Sequence, residues 1–141
     1  MAPGRRLPRQ PPQPAPKRPL VVELAGLGLI AGGLVGISQV FLGTYVVTGS
    51  LPATAPILGV ALIAYLVTVA LGLAVRTGRC WLGALNVALL TALLYLPAAE
   101  RPLIATLAVA HTLVAAALLA SRSWFAAIRD WRRGGTTLHP R

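Results

Sequence analysis

Residues 17–38 read KRPLVVELAGLGLIAGGLVGIS, an apolar run with one carboxylate, Glu23, that follows a basic and proline-rich leader. The apolar character continues to about Val47, well beyond the roughly 20 residues that a helix needs to cross the hydrocarbon core of a bilayer. This stretch therefore predicts a transmembrane helix. It also raises the question of whether Glu23 lies inside the membrane or at its surface.

The composition of the whole chain favours a membrane protein. Of the 141 residues, 56% are hydrophobic and 11% are charged, and the mean hydropathy is +0.73, which is outside the usual balance of soluble domains. The formal net charge of +10 would suggest nucleic acid in a soluble protein, but here the cations lie in tails and loops outside the apolar runs. We therefore expect a lipid bilayer with anionic headgroups as the partner, and no nucleic acid.

Four apolar segments, at about 20–47, 57–75, 81–96 and 103–120, predict four membrane spans. The breaks between them read TGSLPATAP, RTGR and PAAERP, which are rich in residues that end or start helices. The third segment is the shortest, so tilt and its flanking residues would have to accommodate the mismatch. We expect an all-α fold, a four-transmembrane-helix antiparallel bundle.

The two tails have different compositions. Residues 1–19 intersperse seven prolines with five cations, which predicts a disordered leader with polyproline II character. After the fourth span, SRSWFAAIRDWRRGG predicts a continuation of that helix along the membrane surface, with Trp124, Phe125, Ile128 and Trp131 as apolar anchors. The expected division is a tail at 1–19, a transmembrane domain at 20–126 and a basic tail at 127–141.

The distribution of basic residues predicts the orientation. With the N-terminus inside, 12 of the 13 Lys and Arg residues lie on the cytoplasmic side, and only Arg101 lies outside. Trp81 falls near the inner surface and Tyr95 near the outer one, as interfacial aromatic residues do. We expect a multi-pass protein of the plasma (inner) membrane with both termini cytoplasmic.

Small residues spaced four apart predict where the helices touch, because helices in lipid associate through close backbone approach. In the first span these residues are Gly28, Gly32 and Gly36. The third span has a comparable ridge of Ala84, Ala88 and Ala92.

Three polar side chains within the apolar segments are candidate intramembrane contacts. If Pro19 begins the first helix, Glu23 lies about 6 Å along its axis, beside Lys17 and Arg18, which favours an interfacial role over an ion-coupling one. His111 is about nine residues into the fourth span. Its neutral ring would hydrogen-bond Thr68, Thr91 or a backbone carbonyl, and the alternative is a proton-linked or ligand-binding role.

Asn86 lies in the third span, in the same leaflet as Glu23. At 100° per residue, each of these two side chains projects nearly opposite the small-residue ridge of its own helix. If the ridges form the contacts within the bundle, Glu23 and Asn86 face lipid or a further contact. We therefore hypothesise that they mark a surface for a partner helix or a second copy.

The run KRPLVVELAGLGLIAGGLVGI, three further spans and an exit of SRSWF resemble the small uncharacterised four-span membrane proteins of high-GC actinobacteria, a group that carries no assigned activity. The chain is also similar to small multidrug-resistance exporters in size, helix count and a first-helix glutamate. Those exporters place the glutamate deep in the first span, whereas Glu23 is at its edge.

The expected function is a non-enzymatic scaffold or a small subunit of a membrane or envelope complex. The alternative is a small oligomeric transporter or pore that uses His111 and Glu23. The sequence shows no nucleophile and base pair, phosphate-binding loop or carboxylate dyad. It has one cysteine, Cys80, and no Cys/His cluster with metal-ligand spacing, so no cofactor and no metal are expected.

Overall fold

A computed structural model describes residues 14–47, 55–98 and 100–136, which form helices joined by short turns, with no strand among them. Within these ranges lie the α-helices α1 (Leu20–Val47), α2 (Ala55–Arg76), α3 (Trp81–Tyr95), α4 (Pro102–Ala120) and α5 (Arg122–Thr136), and a 3-10 turn (Leu96–Ala98) follows α3. The prediction of an all-α chain is confirmed. The part of the leader at 1–13, the link at 48–54 and the last residues, 137–141, lie outside the described residues.

Three segments of these helices are long and apolar enough to cross a membrane: Leu20–Leu42, Leu58–Arg76 and Pro102–Ala120. They indicate a multi-pass membrane protein. Helix α3 is equally apolar but has only 15 residues, which corresponds to about 22 Å at 1.5 Å per residue.

A left-handed turn joins α2 to α3. Gly78 has a φ of 75°, and its N–H donates to the carbonyl of Val75 over 2.8 Å, while the N–H of Arg79 donates to the carbonyl of Ala74 over 2.9 Å. A glycine in this position after a helix closes the last turn without the steric cost that a side chain would bring. Cys80 is also left-handed, with a φ of 53°. Because two residues of this turn, Gly78 and Cys80, take the left-handed conformation, the chain reverses within four residues.

The C-terminal segment differs from the continuous extension that the sequence suggested. The helix breaks at Ser121, whose hydroxyl donates to the carbonyl of Ala117 over 2.8 Å, and α5 starts anew at Arg122 and runs across the predicted boundary at 126. Phe125 and Ile128, two of the expected membrane anchors, are buried against the protein. The ring centroid of Phe125 lies 6.1 Å from that of Trp81, so α5 folds back over the start of α3.

Helix α1 packs on two neighbours through two different faces. Gly26 and Gly33 face α2, and Gly28 and Gly32 face α4. Gly26 lies beside Gly72, whereas Gly33 lies beside Tyr65, so α1 and α2 run in opposite directions. Helix α3 packs mainly on α4, and its contact with α2 is the least extensive of those between neighbouring apolar helices. The buried apolar cluster contains Val22, Ala25, Leu29, Val75, Ala84, Leu85, Ala88, Val114, Ala115, Leu118 and Phe125.

We expect Gly33→Ala to destabilise the protein, because a methyl group at residue 33 would lie 2.6 Å from Cγ2 of Val69 and 2.9 Å from the carbonyl oxygen of Tyr65. Overpacking of this kind costs roughly 1–3 kcal/mol, which exceeds the gain of about 1 kcal/mol from helix propensity. Gly59→Ala is the matched control, because nothing lies within 4 Å of a methyl group there. Thermal unfolding in detergent, followed by circular dichroism, measures the unfolding midpoint of each variant. Equal midpoints for Gly33→Ala and Gly59→Ala would contradict the close packing of α1 on α2 at Gly33.

Candidate functional site

An ion-pair cluster links the leader, α1 and α2 at one end of the helices. Nη1 of Arg18 lies 2.5 Å from Oε2 of Glu23, and Nη2 of Arg76, the last residue of α2, pairs with Oε1 of the same carboxylate. The sequence suggested Lys17 and Arg18 as the neighbouring cations and missed Arg76. The signal was present, because an antiparallel helix pair places the first turn of α1 level with the last turn of α2.

The position of Glu23 corrects one expectation. The side chain was expected to face lipid or a partner, since it projects away from the ridge of Gly28, Gly32 and Gly36. That face of α1 instead packs on α2, and the Glu23 carboxylate is occupied by two guanidinium groups of its own chain. About a quarter of the side chain is exposed, so this cluster is part of an exposed helix end and not of the interior.

His111 is buried on α4. Its Nδ1 lies 2.8 Å from the carbonyl oxygen of Leu107, and because a carbonyl only accepts, Nδ1 is the donor. The ring lies over Gly32 of α1, where an added methyl group would be 2.9 Å from both Nε2 and Cε1. Of the partners considered from the sequence, a backbone carbonyl is the one found. The hydroxyl of Thr68 donates to Ala64 of its own helix.

Two tyrosines extend the polar site around His111. The ring of Tyr95 meets the His111 ring edge-on with centroids 5.9 Å apart, and the hydroxyl oxygens of Tyr95 and Tyr65 are 3.4 Å apart. Tyr65 occupies the space that the missing side chain of Gly36 leaves. We call Tyr65, Tyr95 and His111 the His–Tyr cluster. It joins α2, α3 and α4, whereas the sequence pointed to Tyr95 only as an interfacial residue and did not single out Tyr65.

The predicted glycine ridge is shared between two helices. Gly28 lies against Val114 and Gly32 against His111, both on α4, whereas Gly36 lies against Tyr65 of α2. A second glycine seam, Gly26 and Gly33 against α2, was not anticipated.

Asn86 is exposed on α3, on the side away from Ala84, Ala88 and Ala92, which are all buried. Among the described residues its side chain makes no hydrogen bond. The exposed residues around it on the same side are apolar. We call this surface, formed by Asn86, Leu89, Leu90 and Leu93, the Asn86 face.

Comparison with protein-family models, curated proteins and solved structures gave no match. Over the described residues, no three His, Cys, Asp or Glu side chains come together in a way that could hold a metal ion.

We expect Glu23→Gln to lower the unfolding midpoint in low salt, because it leaves the partly buried Arg76 guanidinium without its carboxylate. Adding Arg76→Gln should restore part of the loss, since the unpaired cation is then also removed. Salt should reduce the difference, because the cluster is partly exposed. Glu100→Gln is the matched control: Glu100 is exposed and forms no ion pair within the described ranges. Additive losses in the double variant would contradict coupling between residues 23 and 76.

Proposed function

We propose that the chain is a four-span antiparallel bundle of the plasma membrane that acts as a non-enzymatic scaffold or a small subunit of a membrane complex. The short α3 is compatible with a fourth span. Its 15 residues and the 3-10 turn that continues it give together a rod of about 28 Å, close to the roughly 30 Å of the hydrocarbon core.

The positions of the cations support an orientation with both chain ends on the cytoplasmic side. Arg18 of the leader and Arg76 of α2 meet at Glu23, and Arg132 of α5 donates a hydrogen bond to the carbonyl of Thr77, the residue after Arg76. The leader and α5 are thus at one end of the apolar helices. Arg101, the cation expected outside, lies in the turn before α4.

The Asn86 face is the observation that carries the scaffold proposal. An amide without a hydrogen-bond partner is unfavourable against lipid, and a contact with a second helix satisfies it. Asn offers both donors and an acceptor, so it can pair with a polar group of another protein or with Asn86 of a second copy. The exposed leucines of this face extend along α3 and provide an apolar surface for the same helix.

The other polar groups support an inert bundle. Glu23 is neutralised by two arginines of its own chain, and His111 bonds a carbonyl of its own helix. The carboxylate of Glu23 and the Nδ1 of His111 therefore have partners within the chain.

We expect Asn86→Leu to weaken the protein contact at α3. A photo-reactive residue at position 90, beside Asn86, should capture a protein neighbour in native membranes, and Asn86→Leu should remove most of that product, because interhelical polar contacts contribute about 0.6–2 kcal/mol. Thr112→Val is the matched control: Thr112 is also exposed, but its hydroxyl already bonds Ala108 of its own helix. An unchanged product in Asn86→Leu, or capture of lipid alone, would contradict the scaffold.

The second candidate function is a small proton-coupled transporter or pore. The His–Tyr cluster favours it, because the imidazole of His111 lies among four apolar helices. On the scaffold proposal, purified protein in liposomes should pass no more protons than empty vesicles do, as a pH-sensitive dye inside them reports. Proton flux that His111→Ala abolishes and Thr68→Val leaves intact would replace the scaffold with the transporter.

A further inference from the structure

A cleft of about 420 Å³ lies between the start of α3 and α5, at the end of the helices where the arginines gather. One part of its lining is apolar and the other is basic. The apolar part includes Trp81, Leu82 and Phe125, and the basic part consists of Arg129, Arg132 and Arg133 of α5.

Two of the three arginines in the basic part of the cleft, Arg129 and Arg133, have no ion pair among the described residues. Arg129 and Arg133 are exposed and four residues apart, so they project from the same side of α5. Neither makes an ion pair or a hydrogen bond with any residue that the structure describes. Asp130, the one acidic residue in the sequence of α5, does not line the cleft. The site therefore selects for an anion.

Two contacts hold the cleft in shape. Arg132 donates to the carbonyl of Thr77 and fastens α5 to the turn between α2 and α3. The indole of Trp81 donates to the carbonyl of Leu118 over 2.9 Å, and its ring centroid lies 6.1 Å from that of Phe125, so the apolar wall is anchored to α4 and α5. The N-terminus of α3 has no side-chain cap at Cys80 and adds the positive end of its dipole.

The apolar part of the lining determines the kind of anion. A soluble phosphate needs cations and N–H donors only, whereas this cleft continues onto Leu82, which is exposed on the apolar side of α3. An anionic phospholipid combines both features, because its phosphate group is charged and its acyl chains are apolar.

We propose that the cleft binds one anionic phospholipid of the cytoplasmic leaflet, with the phosphate between Arg129 and Arg133 and the acyl chains along Leu82. This assignment rests on the membrane placement proposed above. It adds a specific ligand site to the general attraction between a basic chain and an anionic surface.

Native mass spectrometry of the full chain in detergent tests the site with phosphatidylglycerol and phosphatidylcholine of the same acyl chains. The unmodified protein should retain one phosphatidylglycerol, bound about tenfold or more tightly than phosphatidylcholine, because each arginine near an anionic headgroup contributes a several-fold factor. Arg129→Gln with Arg133→Gln should bring the two lipids within about twofold of each other.

The matched control is Arg101→Gln with Arg122→Gln, which removes the same charge from two exposed arginines outside the cleft. The control should keep the preference for phosphatidylglycerol. Equal binding of the two lipids to the unmodified protein, or an equal loss of preference in both double variants, would overturn the site. Displacement of the lipid by millimolar inorganic phosphate or glycerol phosphate would overturn the lipid assignment in favour of a soluble anion.

A failure of the membrane placement is recognised separately. Cys80 is exposed at the start of α3, and it is the sole cysteine of the sequence. A membrane-impermeant maleimide should label it in inverted vesicles and not in intact cells. Labelling from the outside would overturn the placement whatever the lipid preference. Labelling from the inside with no lipid preference would overturn the lipid site alone.

Discussion

The close approach of α1 and α2 at glycine is the constraint on which the rest of the structure depends. A methyl group at Gly72 would lie 2.7 Å from the carbonyl oxygen of Gly26, so neither position has room for a side chain without separating the helices. The short distance between α1 and α2 also brings the Glu23 carboxylate of α1 within reach of the Arg76 guanidinium of α2. Because α1 is also lined with glycine towards α4, it leaves room for His111 on that side.

The sequence predicted the helices more fully than their contacts. The first helix was predicted at 20–47 and is found at Leu20–Val47, because an apolar run between a proline and a polar link leaves little choice of bounds. The seam of Gly26 and Gly33 was missed, because a search for small residues four apart overlooks a spacing of seven, which also returns to one helix face after two turns. The break at Ser121 was missed as well, since SRSWF contains neither Gly nor Pro. Phe125 and Ile128, which follow the break, are buried in tertiary contacts that have no local sequence signal.

The residues of the candidate sites also differ in how well the sequence predicts them. Asn86 and His111 stand out in the sequence because polar side chains are rare in apolar helices. The His–Tyr cluster does not, because Tyr65, Tyr95 and His111 come from three helices, and their meeting depends on the relative heights of those helices. Arg76 is an intermediate case. The antiparallel pairing was expected, but which face of α1 meets α2 depends on the second glycine seam.

The positions of the polar side chains that have no partner in the chain connect the two proposals. Glu23, Thr68 and His111 have partners within their own chain, whereas Asn86 on α3 and Arg129 and Arg133 on α5 have none among the described residues. Asn86 is one helical turn from Leu82, which lines the cleft. A phospholipid held by Arg129 and Arg133 would therefore lie at the edge of a protein contact at Asn86. On the two proposals together, the lipid forms one border of the interface, and the strength of the protein contact depends on the anionic lipid content of the cytoplasmic leaflet.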